Sequence, residues 1–266
     1  MDVTPTTYTH YRFGKDVYRQ LPLSVQEAID QYRGLYDIGV HGPDLLFYYK
    51  ALTQNPINQT GAAIHKRAGS CFFEQAALQV KKMADPMPAM VYLYGFLCHF
   101  TLDSFCHPYI EQMVRKQGIS HSAIEAELDR YFLEKDGYAP LSYRPIHHLI
   151  PCIFHARVIA PFFPGIGVKK IRICIESQRF YCSLLVVPGP VRNRLIRKLA
   201  SLKSKNVADM IMPYEKISQC VPMNLHMETL YGQAVSAGGK LIENYISYIE
   251  GNAPLDLRFH HTFGEF

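Results

Sequence analysis

The sequence predicts an all-α fold, a single mainly helical domain with additional helices in its C-terminal half. Three observations carry this. Apolar residues recur at the three- and four-residue spacing of helices through most of the 266 residues, and the period-two alternation of strands is scarce. Gly and Pro punctuate the periodic stretches, as at Gly42-Pro43, Asp85-Pro86 and Pro188-Gly189-Pro190. With 48% hydrophobic residues the chain can bury a sizeable core, and its length sits at the upper end of one domain.

Taken in order, the periodicity predicts helices over Ser24–Tyr36, Pro43–Thr53, Gly61–Met83 and Pro88–His107, the last ending before Pro108. His121–Glu134, Ile146–Ala160, Gly167–Val186, Val191–Leu202 and Leu225–Ile249 follow. No internal repeat, low-complexity linker or long heptad pattern interrupts them. For function the chain divides at about Glu134, into a metal-site half (residues 1–134) and a helical C-terminal half (135–266), both expected to share one core.

Charge and composition narrow the classes further. A formal net charge of +5 gives a mild attraction to phosphate-bearing partners but falls short of a dedicated nucleic-acid binder. Met1–His10 shows no secretory pattern. The apolar stretches around Pro88–Phe100 and Leu184–Val187 are too short to span a bilayer. Seven cysteines without a C-x-x-C pair fit reduced, mostly buried thiols. The expectation is a cytoplasmic protein with at most peripheral membrane contact.

The chemistry concentrates in two segments. In GFLCHFTLDSFCHPY, His99, Asp103 and His107 stand four residues apart, so each step advances one helical turn and all three leave one face. That helix is otherwise apolar, and buried imidazole and carboxylate groups need partners or cost several kcal/mol, so a metal ion is the expected partner. In ISHSAIEAELD, His121 and Glu125 form a second nitrogen–oxygen pair one turn apart. Two chelating helices imply more than one ion. Imidazole dominance favours zinc over magnesium, the lack of a cysteine cluster argues against iron–sulfur chemistry, and manganese, iron and cobalt stay open.

Plainer readings stand beside these. Ser122-x-x-Glu125 also reads as a capping box, and lone histidines such as His41, His155 and His226 read as ordinary core or surface residues. Pro161-Phe162-Phe163-Pro164 reads as core or as an acyl-chain contact. The basic run Arg192, Arg194, Arg197, Lys198, Lys203 and Lys205, interleaved with Leu195, Ile196, Leu199 and Leu202, reads as an amphipathic helix with a solvated face or as a helix on an anionic membrane. His260-His261 fits no pattern.

The ordered motifs THYRFG (His10), HGPD (Asp44), GAAIHKRAG (His65), HFTLD (His99, Asp103), HPY (His107) and HSAIE (His121, Glu125) resemble the bacterial zinc-dependent phospholipase C family. Fungal and plant single-strand nucleases share this arrangement. The resemblance spans about Thr6 to Leu133, and the short His-Pro spacing resembles an intracellular branch. It implies a helical fold with two or three Zn2+ ions. His65, His99 and Asp103 would hold one ion, and His107, His121 and Glu125 a second. Asp103 would bridge to a third, with His10. Asp44 would lie at the metals as the catalytic residue, orienting or deprotonating a water.

Secreted family members complete the third site with the amino group and carbonyl of an N-terminal tryptophan, and this chain has no tryptophan. A fold-back of Met1 or another N-terminal group, water, or a two-ion centre are the ways left open. The implied substrate is a phospholipid or other phosphodiester. A nuclease or nucleotidase on the same cluster and a non-catalytic metal-stabilised lipid-binding protein are the alternatives. An HD-type phosphohydrolase would need an adjacent His-Asp pair, which the sequence lacks.

Overall fold

The computed structural model describes residues 7–264 apart from the Lys203 side chain. Its helices are α1 (Thr7–Tyr18), α2 (Leu23–Gln31), α3 (Arg33–Gly39), α4 (Pro56–His65), α5 (Gly69–Val80), α6 (Met87–Gln117) and α7 (His121–Lys135). Then come α8 (Ile153–Ile159), α9 (Val168–Leu185), α10 (Pro190–Lys203), α11 (Lys205–Asp209) and α12 (Cys220–Glu250). Short 3-10 segments cover Gly42–Tyr48, Ala160–Phe162 and Leu257–His260. Among the described residues the one extended pairing is an isolated antiparallel bridge between Ala68 and Thr262. The expected all-α class holds.

Helix α6 is the axis of the fold. It is buried on every side from Pro88 to Ser104, and α1, α3, α8 and α12 pack around it. The sequence reading ends this helix at Pro108, yet it runs on to Gly118, whose φ of 66° gives the left-handed C-cap. Proline has no N–H to offer the carbonyl one turn back, at Ser104. Arg258, from the last 3-10 segment, donates Nη2 to that carbonyl at 3.3 Å and lays its guanidinium 3.6 Å over the Phe105 ring. A residue 154 positions away thus satisfies the carbonyl that proline leaves open.

Other departures have equally local causes. The expected helix over Ser24–Tyr36 breaks at Tyr32, whose backbone (φ −124°, ψ 34°) leaves the helical region between α2 and α3. Pro43–Thr53 forms a 3-10 turn over Gly42–Tyr48 instead of an α-helix. Gly61–Met83 divides into α4 and α5, because Ala68 turns extended to pair with Thr262 and Gly69 N–H donates to the His261 carbonyl at 2.8 Å. Only Ile153–Ile159 of the expected Ile146–Ala160 helix forms as α-helix. Phe162 and Phe163 are core side chains, stacking on Tyr92 and against Phe96, and together with Pro161 and Pro164 they also line a pocket between α4 and α5.

One connected apolar cluster runs from Tyr8 to Phe263. All seven cysteines are free thiols, and Cys98, Cys106, Cys174, Cys182 and Cys220 are buried in or beside it. No helix among the described residues is long and apolar enough to cross a membrane.

The approach of α3 to α6 positions the segment that follows α3. Gly39 faces the Tyr92 carbonyl and Gly95 faces the Tyr36 carbonyl, so closely that a Cβ at either would overlap backbone. Two glycines in register let the helix backbones touch, and this lays Gly42-Pro43-Asp44 beside His99 on α6. Gly42 itself has φ 50° and lies against the His99 ring, so a side chain there would meet both strain and a clash. Replacing Gly95 by Ala should therefore cost about 3 kcal/mol, since neither backbone can yield locally. Urea unfolding checks this, and a loss under about 1 kcal/mol would show that the crossing is loosely packed.

Candidate metal centre

Helix α6 aims His99, Asp103 and His107 off one face into a pocket walled by α1, α4, α7 and the Gly42–Tyr48 turn. The Asp103 carboxylate is the hub. Its Oδ2 lies 3.0 Å from His99 Nε2 and 3.8 Å from His65 Nε2. Its Oδ1 lies 3.3 Å from His10 Nε2 and 3.4 Å from His107 Nε2. Asp44 Oδ1 lies 3.1 Å from His65 Nε2 and 4.0 Å from His99 Nε2. On the other side, Glu125 Oε1 is 3.4 Å from His107 Nε2 and 3.2 Å from His121 Nε2. All eight side chains expected from the sequence meet in this one pocket.

Their donor atoms form three groups, each within 4.8 Å of one another: Asp44, His65 and His99; His10, His99 and Asp103; His107, His121 and Glu125. The last group is the set that the resemblance implies. In the first, Asp44 stands among the donors rather than beside them, while Asp103 faces both other groups. The capping-box reading of Glu125 fails: Ser120 Oγ caps α7 through the Ala123 N–H at 3.3 Å, and Glu125 turns inward to the imidazoles.

Surrounding groups hold the imidazoles in place. His65 is the last residue of α4, and its Nδ1 bonds the Gly61 carbonyl at 2.9 Å, leaving Nε2 for the pocket. His121 Nδ1 bonds Glu111 Oε1 at 2.7 Å in the same way. His10 depends on α1, a helix that the sequence periodicity does not reveal. Asp129 of α7 accepts the Tyr8 and Thr9 N–H groups at 3.1 and 2.8 Å and the Thr9 hydroxyl at 2.6 Å, capping α1 from outside. Burial lifts the Asp129 carboxyl to about 6 despite those bonds. Glu111, Asp129 and Phe263, whose ring lies 5.5 Å from that of His65, are the supporting residues that sequence reasoning misses. Only the position of Glu111 just upstream of His121 hinted at one.

Electrostatics make the pocket self-compensating. Burial alone would raise the Asp44, Asp103 and Glu125 carboxyls, but the neighbouring histidines outweigh it and hold all three below the ordinary range, Asp103 furthest. Burial alone would lower the histidines, yet the carboxylates lift His10, push His65 up to about 9 and carry His121 well above normal. His99, deepest of all and beside His10, is lowered by burial. His65 Nε2, His99 Nε2, His121 Nε2 and Asp103 Oδ2 are buried without a well-aligned hydrogen bond among the described residues. Buried nitrogen and oxygen acceptors aimed at common points fit a divalent cation, and zinc suits a set rich in imidazole.

The remaining histidines stay out of the pocket. His41 Nε2 and His148 Nε2 share a 2.8 Å hydrogen bond behind it, with His148 stacked on Tyr11, and burial holds both well below normal. His155 bonds the Ile150 carbonyl, His226 lies against Tyr109, and His260 and His261 are exposed. The expectation that an N-terminal group completes the third site falls on residues 1–6, outside the described residues.

A helical fold whose central helix gathers three carboxylate–imidazole groups marks the class of helical proteins with a candidate metal centre. Within it, a family description, zinc dependent phospholipase C, matches residues 9–159, and the chain belongs to that family. The match covers more than half of the 266 residues, from α1 through α8. No curated protein and no solved structure matches the chain.

The charge pattern has a measurable consequence in metal-stripped protein. His65, His10 and His121 are raised, so their stabilisation is full below the ordinary histidine range of about 6.5 and fades as pH climbs through about 9, where His65 deprotonates. The lowered carboxylates contribute oppositely, losing their share only as the solution becomes acidic. Zinc must displace the imidazole protons, so titrating it in near neutral pH should release about one proton or more per chain. Calorimetry in buffers of different ionisation enthalpy reads this number, and heats independent of buffer would separate these imidazoles from metal binding.

Proposed function

We propose that the chain hydrolyses the phosphodiester of a phospholipid, releasing the phosphorylated head group, with His10, Asp44, His65, His99, Asp103, His107, His121 and Glu125 holding two or three zinc ions. One observation supports this above the rest: the donors fall into groups of three instead of closed sets of four, with His99 common to two groups and Asp103 within 3.8 Å of imidazoles of all three. Structural zinc sites close with four protein ligands, whereas three-ligand sets keep positions for water and phosphate. Bound zinc supplies Lewis-acid charge for the phosphoryl oxygens and a nucleophilic water at neutral pH.

The chain's own residues do the rest. His99, Asp103 and Glu125 form the floor of the pocket, while His65, His107 and His121 keep a small exposed fraction and mark its open side. A diester arriving from that side meets the imidazole edges first. Asp44 stays ionised because His99 and His65 offset its burial. It is the carboxylate that accepts a hydrogen bond from the attacking water and fixes its direction. Phe263 and Phe47 flank His65 with apolar rings, which limits competing water around that edge.

Replacing Asp44 by Asn preserves its shape and removes its charge. Turnover of phosphatidylcholine and of a soluble diester such as bis(p-nitrophenyl) phosphate should fall at least about 100-fold while most of the zinc is retained, since Asn keeps an oxygen donor and His65, His99 and Asp103 remain in place. Elemental analysis and kinetics on the same preparation check both parts. Unchanged turnover removes Asp44 from the chemistry, and loss of an ion together with turnover makes it a ligand first. Running single-stranded nucleic acid and nucleotides alongside, with zinc and with chelator, tests the substrate: faster cleavage of nucleic acid than of lipid would replace the phospholipid reading with a nuclease.

A further inference from the structure

Helix α10 is built the wrong way round for a helix whose only surroundings are its own protein and water. Its inward side is partly polar. Asn193, 1% exposed, donates Nδ2 to the Val187 and Met212 carbonyls at 3.2 and 3.0 Å. Arg197 reaches the Ile211 carbonyl and lies 3.7 Å from Asp209. Its outward side is aliphatic: Val191, Leu195, Leu199 and Leu202 are 79, 55, 57 and 80% exposed. At about 100° per residue these four fall within a sector of about 80°, roughly opposite Asn193, Arg197 and Ala200. An ordinary surface helix turns its leucines to the core and its charges to water.

The charges border the stripe. Arg192 lies along one edge, Lys198 and Arg194 along the other, and α10 contains no acidic residue. Arg194 pairs with exposed Glu215, whereas Arg192 and Lys198 have no carboxylate partner among the described residues. An apolar ridge with cations on both flanks matches a bilayer surface, where leucines enter the acyl boundary and the cations meet anionic head groups. A protein groove would match only if acidic side chains lined both of its rims, whereas an anionic bilayer offers negative charge on every side of the ridge.

We propose that α10 is a membrane-docking helix that seats this chain on anionic lipid surfaces. It lies beyond residues 9–159, so the family match does not supply it, and it is independent of the chemistry at the metal centre. The Gly189-Pro190 entry and the extended Ser204 exit set the helix off from its neighbours, while Asn193 and Arg197 clamp its inner side. Docking through this helix would need no rearrangement of the core. Of the two sequence readings, an ordinary amphipathic helix would pack its leucines inward, whereas here Val191, Leu195, Leu199 and Leu202 share the solvated side with Arg192, Arg194 and Lys198.

The test compares zinc-loaded full chain with its Leu195→Glu/Leu199→Glu variant in brief, cold co-sedimentation with vesicles. One set is phosphatidylcholine alone, and the other has about one third phosphatidylserine. Wild type should sediment with the anionic vesicles, less so as salt rises, and the variant should bind at least about tenfold more weakly. Both changes fall on exposed positions, so thermal midpoint and hydrolysis of the soluble diester should be unchanged. Failure of the wild type to bind, or equal binding by the variant, overturns the proposal. So does a wild-type dimer in light scattering that the variant converts to monomer, since a second copy would then cover the stripe. Failure of soluble-diester hydrolysis in both proteins would count against the proposed activity and leave the vesicle result standing.

Discussion

The Asp103 carboxylate sits inside an apolar helix with four imidazoles arranged around it. Burying such groups separately would cost several kcal/mol each, because neither charge nor hydrogen-bonding capacity is satisfied by hydrocarbon. Together they compensate: the histidines hold the Asp103 carboxyl well below its ordinary range, and the carboxylates raise His10 and His121 against the effect of burial. The compensation leaves aimed nitrogen and oxygen atoms without good hydrogen bonds. A divalent cation held among these donors would convert the arrangement from a tolerated cost into a source of stability, and the rest of the fold keeps the donors facing inward.

That organisation reaches far along the chain. Gly39 and Gly95 let α3 and α6 touch and carry Asp44 to His99. Asp129 caps α1 and so aims His10, and Glu111 orients His121. Arg258 supports the carbonyl that Pro108 abandons, keeping α6 helical beyond His107. The same terminal segment pairs with Ala68, where α4 ends at His65, and sets Phe263 against His65 and His99. Residues from both ends of the described chain therefore brace a centre whose donors span only positions 10 to 125.

The metal centre and helix α10 invert the usual partition of polar and apolar groups in opposite senses. At the centre, charge is placed in the core where a cation can use it. On α10, leucines are placed in water where an acyl boundary can use them. Each departure costs stability in the isolated chain, and each would be relieved by a different binding partner, a cation in one case and the proposed lipid surface in the other.

Sequence alone was sufficient for the fold class and for ligand-type residues one turn apart on a single helix. The all-α class follows from periodicity, and the His99–Asp103–His107 and His121–Glu125 steps follow from 3.6 residues per turn. The joint order of eight residues in six short motifs was enough to carry the family resemblance. What required the folded chain was each feature resting on partners distant in sequence. These include α1, capped by a residue more than a hundred positions away, the split of the Gly61–Met83 stretch by Thr262, and the passage of α6 through Pro108. Tertiary contact also decided which donors share a group and which side of α10 meets the protein. A helical period gives the angle between two residues on one helix, but packing against the remainder of the molecule decides which of the two faces inward.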